Sequence, residues 1–229
     1  MNTSRRCWPY LFLLFLAFVP LALIYTGSLV AQTEETTVLE FEPPDTESDG
    51  FEQSDLGNVA QTARMKYAEG NRHLAQASKL RRRIAETEDA EKRAKLEERL
   101  EDTFQSAANS FTDAIGYAPK MAEAYAGLGE TLREWGRLDQ SLEVCAAAVR
   151  RFPDDLENFE GWAMTLMELN LLGNATSAYS NYVDSNPDRA AILMEVMQDW
   201  LNRKQADPGD LNPADVERMA AWIQQQEAG

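Results

Sequence analysis

The chain has 229 residues, of which 44% are apolar and 26% are charged, and its formal net charge is −16. This apolar content supports a packed core and excludes wholesale disorder. The acidic balance argues against nucleic acid as a partner, because phosphates require a basic surface. Two cysteines and a single histidine exclude a disulfide framework and argue against a structural zinc site.

Residues 1–32 carry a membrane signal. Arg5 and Arg6 precede an uncharged stretch, and its 23 residues from Trp8 to Val30 are enough to span a bilayer as a helix. The positive-inside rule places the two arginines in the cytoplasm and everything after residue 32 across the membrane, on the periplasmic side in a bacterium. We therefore predict a transmembrane signal anchor, with a signal peptide cleaved before Gln32 as the alternative.

Residues 33–58 are expected to form a disordered acidic linker. Residues 33–60 contain nine acids and no base, and such dense like charge keeps a chain extended and unfolded. Val38, Leu39, Phe41 and Phe51 are dotted among the acids. This pattern is compatible with a short docking motif, although a spacer is the simpler interpretation.

The body of the chain repeats with a period of 34 residues. Pro119, Pro153 and Pro187 are spaced by 34, and the segments that they close share small and aromatic residues at matching offsets. Small residues let two antiparallel helices approach closely, and the large ones fill the gaps beside them. Proline ends a second helix, because it cannot continue one. The positions of this signature are Gly70, Ala107, Phe111, Ala114, Pro119, Tyr125, Leu128, Gly129, Ala148, Pro153, Phe159, Ala163, Ala175, Tyr179 and Pro187.

This pattern resembles the tetratricopeptide repeat. The resemblance implies an all-α fold, a right-handed superhelical stack of helix hairpins in which about three repeats are followed by capping helices. The expected boundaries within a helical domain over 59–229 are 59–119, 120–153, 154–187 and 188–229. In the third repeat Asn170 replaces the turn glycine that the second repeat has at Gly136, so we expect a longer turn there. Helices are expected over 190–204 and from Pro213 to about Gln226.

The first repeat is stretched by about 25 residues between Gly70 and Ala107. The inserted residues are rich in Ala, Glu, Lys and Arg and contain neither Gly nor Pro, so both helices should be extended. They should meet near residues 86–89 as a projecting hairpin. It is either a solvated arm held by i,i+4 ion pairs or a second, basic contact surface for acidic partners or anionic lipid, formed by Arg81, Arg82, Arg83, Lys92, Arg93 and Lys95.

The resemblance also implies a binding surface. Tetratricopeptide arrays bind extended peptides or partner helices along the concave face that the first helix of each repeat lines. The residues at the corresponding positions are Glu123, Ala126, Glu130, Arg133, Glu134, Glu157, Glu160, Met164, Met167 and Glu168. Six glutamates around two methionines favour a basic partner with an apolar anchor, although such glutamates can also serve solubility alone.

No catalytic motif, phosphate-binding loop or dinucleotide fingerprint is present in the sequence, and we expect no enzymatic activity, cofactor or bound metal. Two functions remain. The first is a membrane-tethered scaffold that binds a protein partner in its acidic groove. The second is a structural module that associates with itself, as a homo-oligomer, through repeat faces and the basic hairpin. The partner itself cannot be read from the sequence.

Overall fold

The computed structural model describes residues 53–209 and 211–228, which form α-helices joined by short turns. The predicted membrane segment over 8–30 and the linker over 33–52 lie outside these residues. Within the described part the chain is helical without strands, in agreement with the expected fold class. None of the helices in this part is both long and apolar enough to cross a membrane. In chain order they are α1 Gln53–Ala85, α2 Ala90–Tyr117, α3 Ala122–Glu134, α4 Leu138–Arg151, α5 Leu156–Glu168, α6 Leu172–Tyr182, α7 Pro187–Ala206 and α8 Pro213–Glu227.

The first hairpin is longer than those that follow it. α1 has 33 residues and α2 has 28, against 13 and 14 for α3 and α4. The turn between α1 and α2 occupies residues 86–89, where the sequence predicts it. Asp89 caps α2 by accepting a hydrogen bond from the amide of Lys92. α1 begins at Gln53, so residues 53–58 are helical and the linker ends earlier than predicted. Extending a formed helix by one residue costs little free energy, so α1 continues into a segment whose composition alone favours disorder.

The helices stack as consecutive hairpins. α1 packs along α2, α3 along α4, α5 along α6 and α7 along α8, and the first helices of successive hairpins, α3, α5 and α7, also lie side by side. Phe111 of α2 is fully buried against Gly70 of α1 and Gly127 of α3, where an added Cβ would lie within 2.8 Å of its ring. The glycines are therefore required for these helices to approach one another.

The expectation of a longer turn in the third repeat is wrong. The turn from α5 to α6 covers residues 169–171, the same length as the turn over 135–137 between α3 and α4. Asn170 has a φ of 59° and takes the left-handed position that Gly136 takes with a φ of 81°. Asparagine is one of the few residues with a side chain that adopt this conformation readily, so no extra residue is needed.

Pro187 begins a helix and does not close one. α6 already ends at Tyr182, and Pro187 is the first residue of α7. The side chain of Asn186 caps α7 by accepting from the amide of Arg189. Proline suits the first helical position, because its missing N–H would have no partner there. The boundary predicted at 187 thus falls inside α7, and its helix is longer than the predicted 190–204.

Two apolar clusters form the core. The first joins α2, α3 and α4 around Phe111, Ile115, Tyr125 and Leu128. The second joins α5 to α8, and its members include Phe159, Met167, Trp200 and Ile223. The signature positions Ala107, Phe111, Ala114, Tyr125, Leu128, Ala148, Phe159, Ala163 and Ala175 are buried, and Tyr179 is partly buried.

Candidate functional site

α3 and α5 enclose a cleft of about 290 Å³. Its walls come from one face of each helix, since the contributing residues follow i, i+3, i+4 and i+7 spacing. Six of the ten residues expected to form the inner surface line it together, with Gly161 added between them. The lining residues are Ala126, Glu130, Arg133, Glu157, Glu160, Gly161 and Met164.

The other four predicted groove residues do not line the cleft. Met167 is fully buried within the second core cluster and is not available to a ligand. Glu134 and Glu168 pair with arginines of the protein itself. Their carboxylates are therefore not free for a basic partner. Glu123 does not line the cleft, but its carboxylate is close enough to raise the pKa of Glu157.

An ion-pair chain crosses the inner surface from α1 to α5. Arg81 donates to the side chain and the carbonyl oxygen of Glu134, at the end of α3. The Nη1 of Arg133 lies 3.6 Å from an oxygen of Glu134 and 3.2 Å from Oε1 of Glu168. The Arg133 side chain is only 13% exposed, so these pairs are better shielded from solvent than ordinary surface pairs. This chain fixes α3 between α1 and α5.

The remaining acids of the cleft have no such partner. Within the described residues no lysine or arginine forms an ion pair with Glu130, Glu157 or Glu160. Loss of hydration raises the pKa of Glu130, and the neighbouring Glu134 and Glu157 add to the rise while Arg133 opposes it. Glu157 is exposed, and partial loss of hydration raises its pKa, with repulsion from Asp155, Glu123 and Glu160 added. The cleft thus holds negative charge that a bound cation would relieve.

A second cleft, which sequence reasoning missed, lies between α5 and α7. It measures about 110 Å³ and shares Glu160 and Met164 with the first. The repeat resemblance predicts only a capping role for α7, although its residues 192, 195, 196 and 199 have the helical spacing of a single face. That spacing was the available signal. The residues contributed by α7 are Ile192, Glu195, Val196, Asp199 and Arg203.

The expected basic surface of the long hairpin is largely occupied by internal contacts. Besides pairing with Glu134, Arg81 stacks on Phe104 at 5.1 Å. Lys92 and Lys95 pair with Asp89 and Glu91 at 3.6 and 2.6 Å.

At the tip itself, Arg93 donates to the carbonyl oxygen of Thr87 at 2.7 Å and so closes the turn. Among the six predicted residues, Arg82, Arg83 and Arg93 are exposed and form no ion pair in the described structure, and Arg93 alone of the three makes the side-chain hydrogen bond to Thr87. Residues 82–100 carry six bases and six acids, so the tip has no net charge.

No group of three or more His, Cys, Asp or Glu side chains within 53–209 and 211–228 is arranged to hold a metal ion. Cys145 is 1% exposed. Burial raises the pKa of its thiol to about 11, so at neutral pH it is not the thiolate that nucleophilic chemistry needs. Its sulfur lies 4.0 Å from the hydroxyl of Ser141, and we regard it as a packing residue.

The comparisons agree with this architecture. Neither a curated protein nor a solved structure matches the chain. Residues 99–161 match the family model described as tetratricopeptide repeat. The match begins within α2 and runs through α3 and α4 into α5, so it includes one wall of the first cleft and part of the other. The repeat signature, the stacked helix hairpins and the family match together show that this part of the chain is built from tetratricopeptide repeats.

Proposed function

We propose that this protein is a non-catalytic interaction scaffold that binds a basic, partly apolar segment of another protein in the cleft between α3 and α5. Tetratricopeptide repeats generally mediate protein–protein interaction. The observation that carries the proposal is the set of cleft carboxylates of Glu130, Glu157 and Glu160 around Met164, which form no ion pair within the residues that the structure describes. A bound arginine or lysine would neutralise their repulsion, while the thioether of Met164 would contact an apolar side chain.

We further propose that residues 1–32 tether this scaffold to the membrane and that residues 33–52 separate it from the bilayer. The support is the uncharged stretch behind Arg5 and Arg6 and the dense acidic composition that follows. In this arrangement the repeat domain faces the non-cytoplasmic side, as the positive-inside rule predicts. Cleavage of residues 1–31 would release the same domain into that compartment. Protease protection of spheroplasts and the size of the mature chain test both statements.

Binding is tested with the full chain in mild detergent and a fluorescent peptide that contains arginine and leucine. We expect saturable binding that weakens with salt, because charge attraction across an accessible cleft is screened. Glu157→Lys/Glu160→Lys should weaken it at least about tenfold, as expected when two attractive charges become repulsive. The matched control is Glu97→Lys/Glu98→Lys, which makes the same change in net charge on exposed residues of α2.

Equal weakening of binding in both variants would contradict the proposal, since attraction to a uniformly acidic surface would then suffice, and so would binding by the Glu157/Glu160 variant that equals that of the wild type. Capture from native membranes with the same three proteins would identify the partner, as a protein lost only with the Glu157/Glu160 variant. Sedimentation of the protein without peptide tests the competing function. Concentration-dependent oligomers that form without peptide, combined with no peptide binding, would favour the self-associating module.

A further inference from the structure

The exposed face of α1 carries a stripe of positive charge along the first hairpin. Its residues recur at intervals of three or four, so they share one side of the helix, opposite the buried Ala63 and Ala77. At about 1.5 Å per residue, the stripe is about 28 Å long from Arg64 to Arg83. The exposed residues that form it are Arg64, Ala68, Arg72, Ala75, Lys79 and Arg83.

The cations of this stripe have no counter-ion in the part of the chain that the structure describes. Neither its three arginines nor its lysine forms an ion pair there. The only acid between residues 61 and 85 is Glu69, which already lies 3.4 Å from the ammonium group of Lys66. Surfaces that serve solubility alone intersperse both signs of charge. A purely basic face on a chain with a net charge of −16 therefore fits an acidic occupant.

The segment that leads into α1 is acidic. Residues 38–52 contain six acids and no base, and they lie outside the described residues. Asp49-Gly50 is a dipeptide typical of turns, and it comes shortly before α1 begins at Gln53. A reversal of the chain there would send residues 38–48 back along α1. Because this segment is covalently joined to α1, its effective concentration at the stripe is on the order of millimolar, which favours it over an unlinked acidic partner.

The lengths of the segment and the stripe agree. An extended chain advances about 3.3 Å per residue, so residues 38–48 span about 36 Å. α1 rises about 1.5 Å per residue, which puts the first two arginines of the stripe about 16 and 28 Å beyond Gln53. The returning chain would pass the first near Asp45 and the second between Glu40 and Glu42. These two glutamates point to the same side of an extended chain, so both can face the arginine.

We propose that residues 38–48 dock on the basic stripe of α1 and neutralise it. Individual exposed ion pairs are weak, and the covalent link makes several of them sufficient. The stripe shares no residue with either cleft, so this inference goes beyond the proposed function and does not depend on it. Docking would shorten the spacer that residues 33–52 otherwise provide, and it would cover the stripe against the acidic clefts of other copies.

Spin labels measure the docking in the full chain in non-ionic detergent. The labels are attached at Phe41→Cys and at Gln76→Cys, an exposed position beside the stripe. Cys7→Ser removes one native thiol, and Cys145 is buried and stays unlabelled. Double electron–electron resonance should give a narrow distance distribution below about 25 Å, because both residues lie at similar heights along α1 in the docked arrangement. A randomly oriented segment would give a broad distribution around about 40 Å.

Removing positive charge from the stripe should release the segment. Arg64→Gln/Arg72→Gln should lower the short-distance population at least about threefold, and about 0.5 M salt should do the same to the wild type, because exposed charges are screened. The matched control is Lys95→Gln/Arg99→Gln, which removes the same charge from exposed residues of α2 and should leave the distances unchanged. Circular dichroism verifies that each variant folds.

A broad distribution in the wild type would overturn the proposal, and so would a short distance that survives in the Arg64/Arg72 variant. A short distance that disappears when unlabelled chain is added in excess would overturn it as well, since the contact would then join two copies. If the wild-type distribution is broad and vesicles containing phosphatidylglycerol bind the wild type but not the variant, the stripe is a lipid-binding surface instead. Peptide binding in the α3–α5 cleft is measured separately, so failure of one proposal leaves the other standing.

Discussion

The carboxylate of Glu130 in the acidic cleft lowers the stability of the folded protein near neutral pH. Its carboxylate loses hydration beside α5, and this loss is the main reason that its pKa is raised, with repulsion from Glu134 and Glu157 added. Attraction to Arg133 offsets only part of the rise. Because the folded pKa lies above the unfolded one, the folded state binds more protons, and the ionised carboxylate destabilises it near neutral pH. As pH falls through the raised pKa, this destabilisation disappears.

Glu130→Gln should therefore stabilise the protein at pH 7, by up to about 0.5 kcal/mol, which is the scale of surface substitutions. The gain should shrink as the solution is acidified, because the wild-type carboxyl becomes neutral as well. Urea unfolding at pH 7 and at about pH 4 measures both values. Glu97→Gln on the exposed side of α2 serves as the control. A gain for Glu130→Gln that is the same at both pH values would contradict the electrostatic explanation.

The helices and their turns show which features can be predicted from a single sequence. The hairpin turn at 86–89 and the start of α8 at Pro213 lie where expected, because local signals set them: a helix-forming composition and an Asn-Pro cap. The expectation of a longer turn at Asn170 is wrong because asparagine, like glycine, adopts a positive φ. The expectation that Pro187 closes a helix is wrong because proline begins helices as well as ending them.

Helix spacing between α3 and α4 depends on Gly129 and Cys145. A Cβ added at Gly129 would clash with the buried Sγ of Cys145. Ser141 fixes the same contact by donating a hydrogen bond to the carbonyl of Gly129 at 2.8 Å. We expect Gly129→Ala to destabilise the protein by about 1–3 kcal/mol, as overpacking does. Chemical unfolding followed by circular dichroism measures this loss.

Two further variants test the cause of that loss. Gly129→Ala combined with Cys145→Ala should recover part of the stability relative to the sum of the single changes, because removing the sulfur creates room for the methyl group. Gly116→Ala is the control, since it lies in α2 with no atom near the added Cβ. Alanine favours a helix over glycine by about 1 kcal/mol, so this change should be neutral or stabilising. Additive losses at residues 129 and 145 would show that the clash is not the cause.

At the scale of the whole molecule, the core is divided between two clusters. A layer of small, partly polar side chains lies where they meet, and there the hydroxyl oxygens of Ser141 and Thr165 are 3.1 Å apart. The repeat signature predicts this series of hairpins, because the small and aromatic residues that become buried recur in the sequence with a period of 34. The Arg81–Glu134 contact and the second cleft were not predicted, because they join residues whose proximity depends on how hairpins stack and on the length of α1.

Because the core is divided, we expect a destabilising substitution in one cluster to affect mainly the helices that form that cluster. Trp200 is 1% exposed within the second cluster, and Trp200→Ala should cost about 3–5 kcal/mol, the usual loss for a buried tryptophan. In a repeat array each hairpin contacts only its neighbours. Amide hydrogen exchange should therefore accelerate in α5–α8 much more than in α2–α4. Mass spectrometry of peptic fragments measures both regions in one experiment.

Ile115→Ala provides the opposite test, because Ile115 is also 1% exposed but belongs to the first cluster. In this variant the amides of α2, α3 and α4 should lose their protection from hydrogen exchange first. The Arg133–Glu168 pair connects α3 to α5, so removing it with Glu168→Gln should increase the contrast between the halves in both core variants. If Trp200→Ala and Ile115→Ala instead accelerated exchange equally everywhere, the domain would unfold as one unit. The layer of small side chains between the clusters would then couple the unfolding of the two halves as strongly as the contacts within each cluster do.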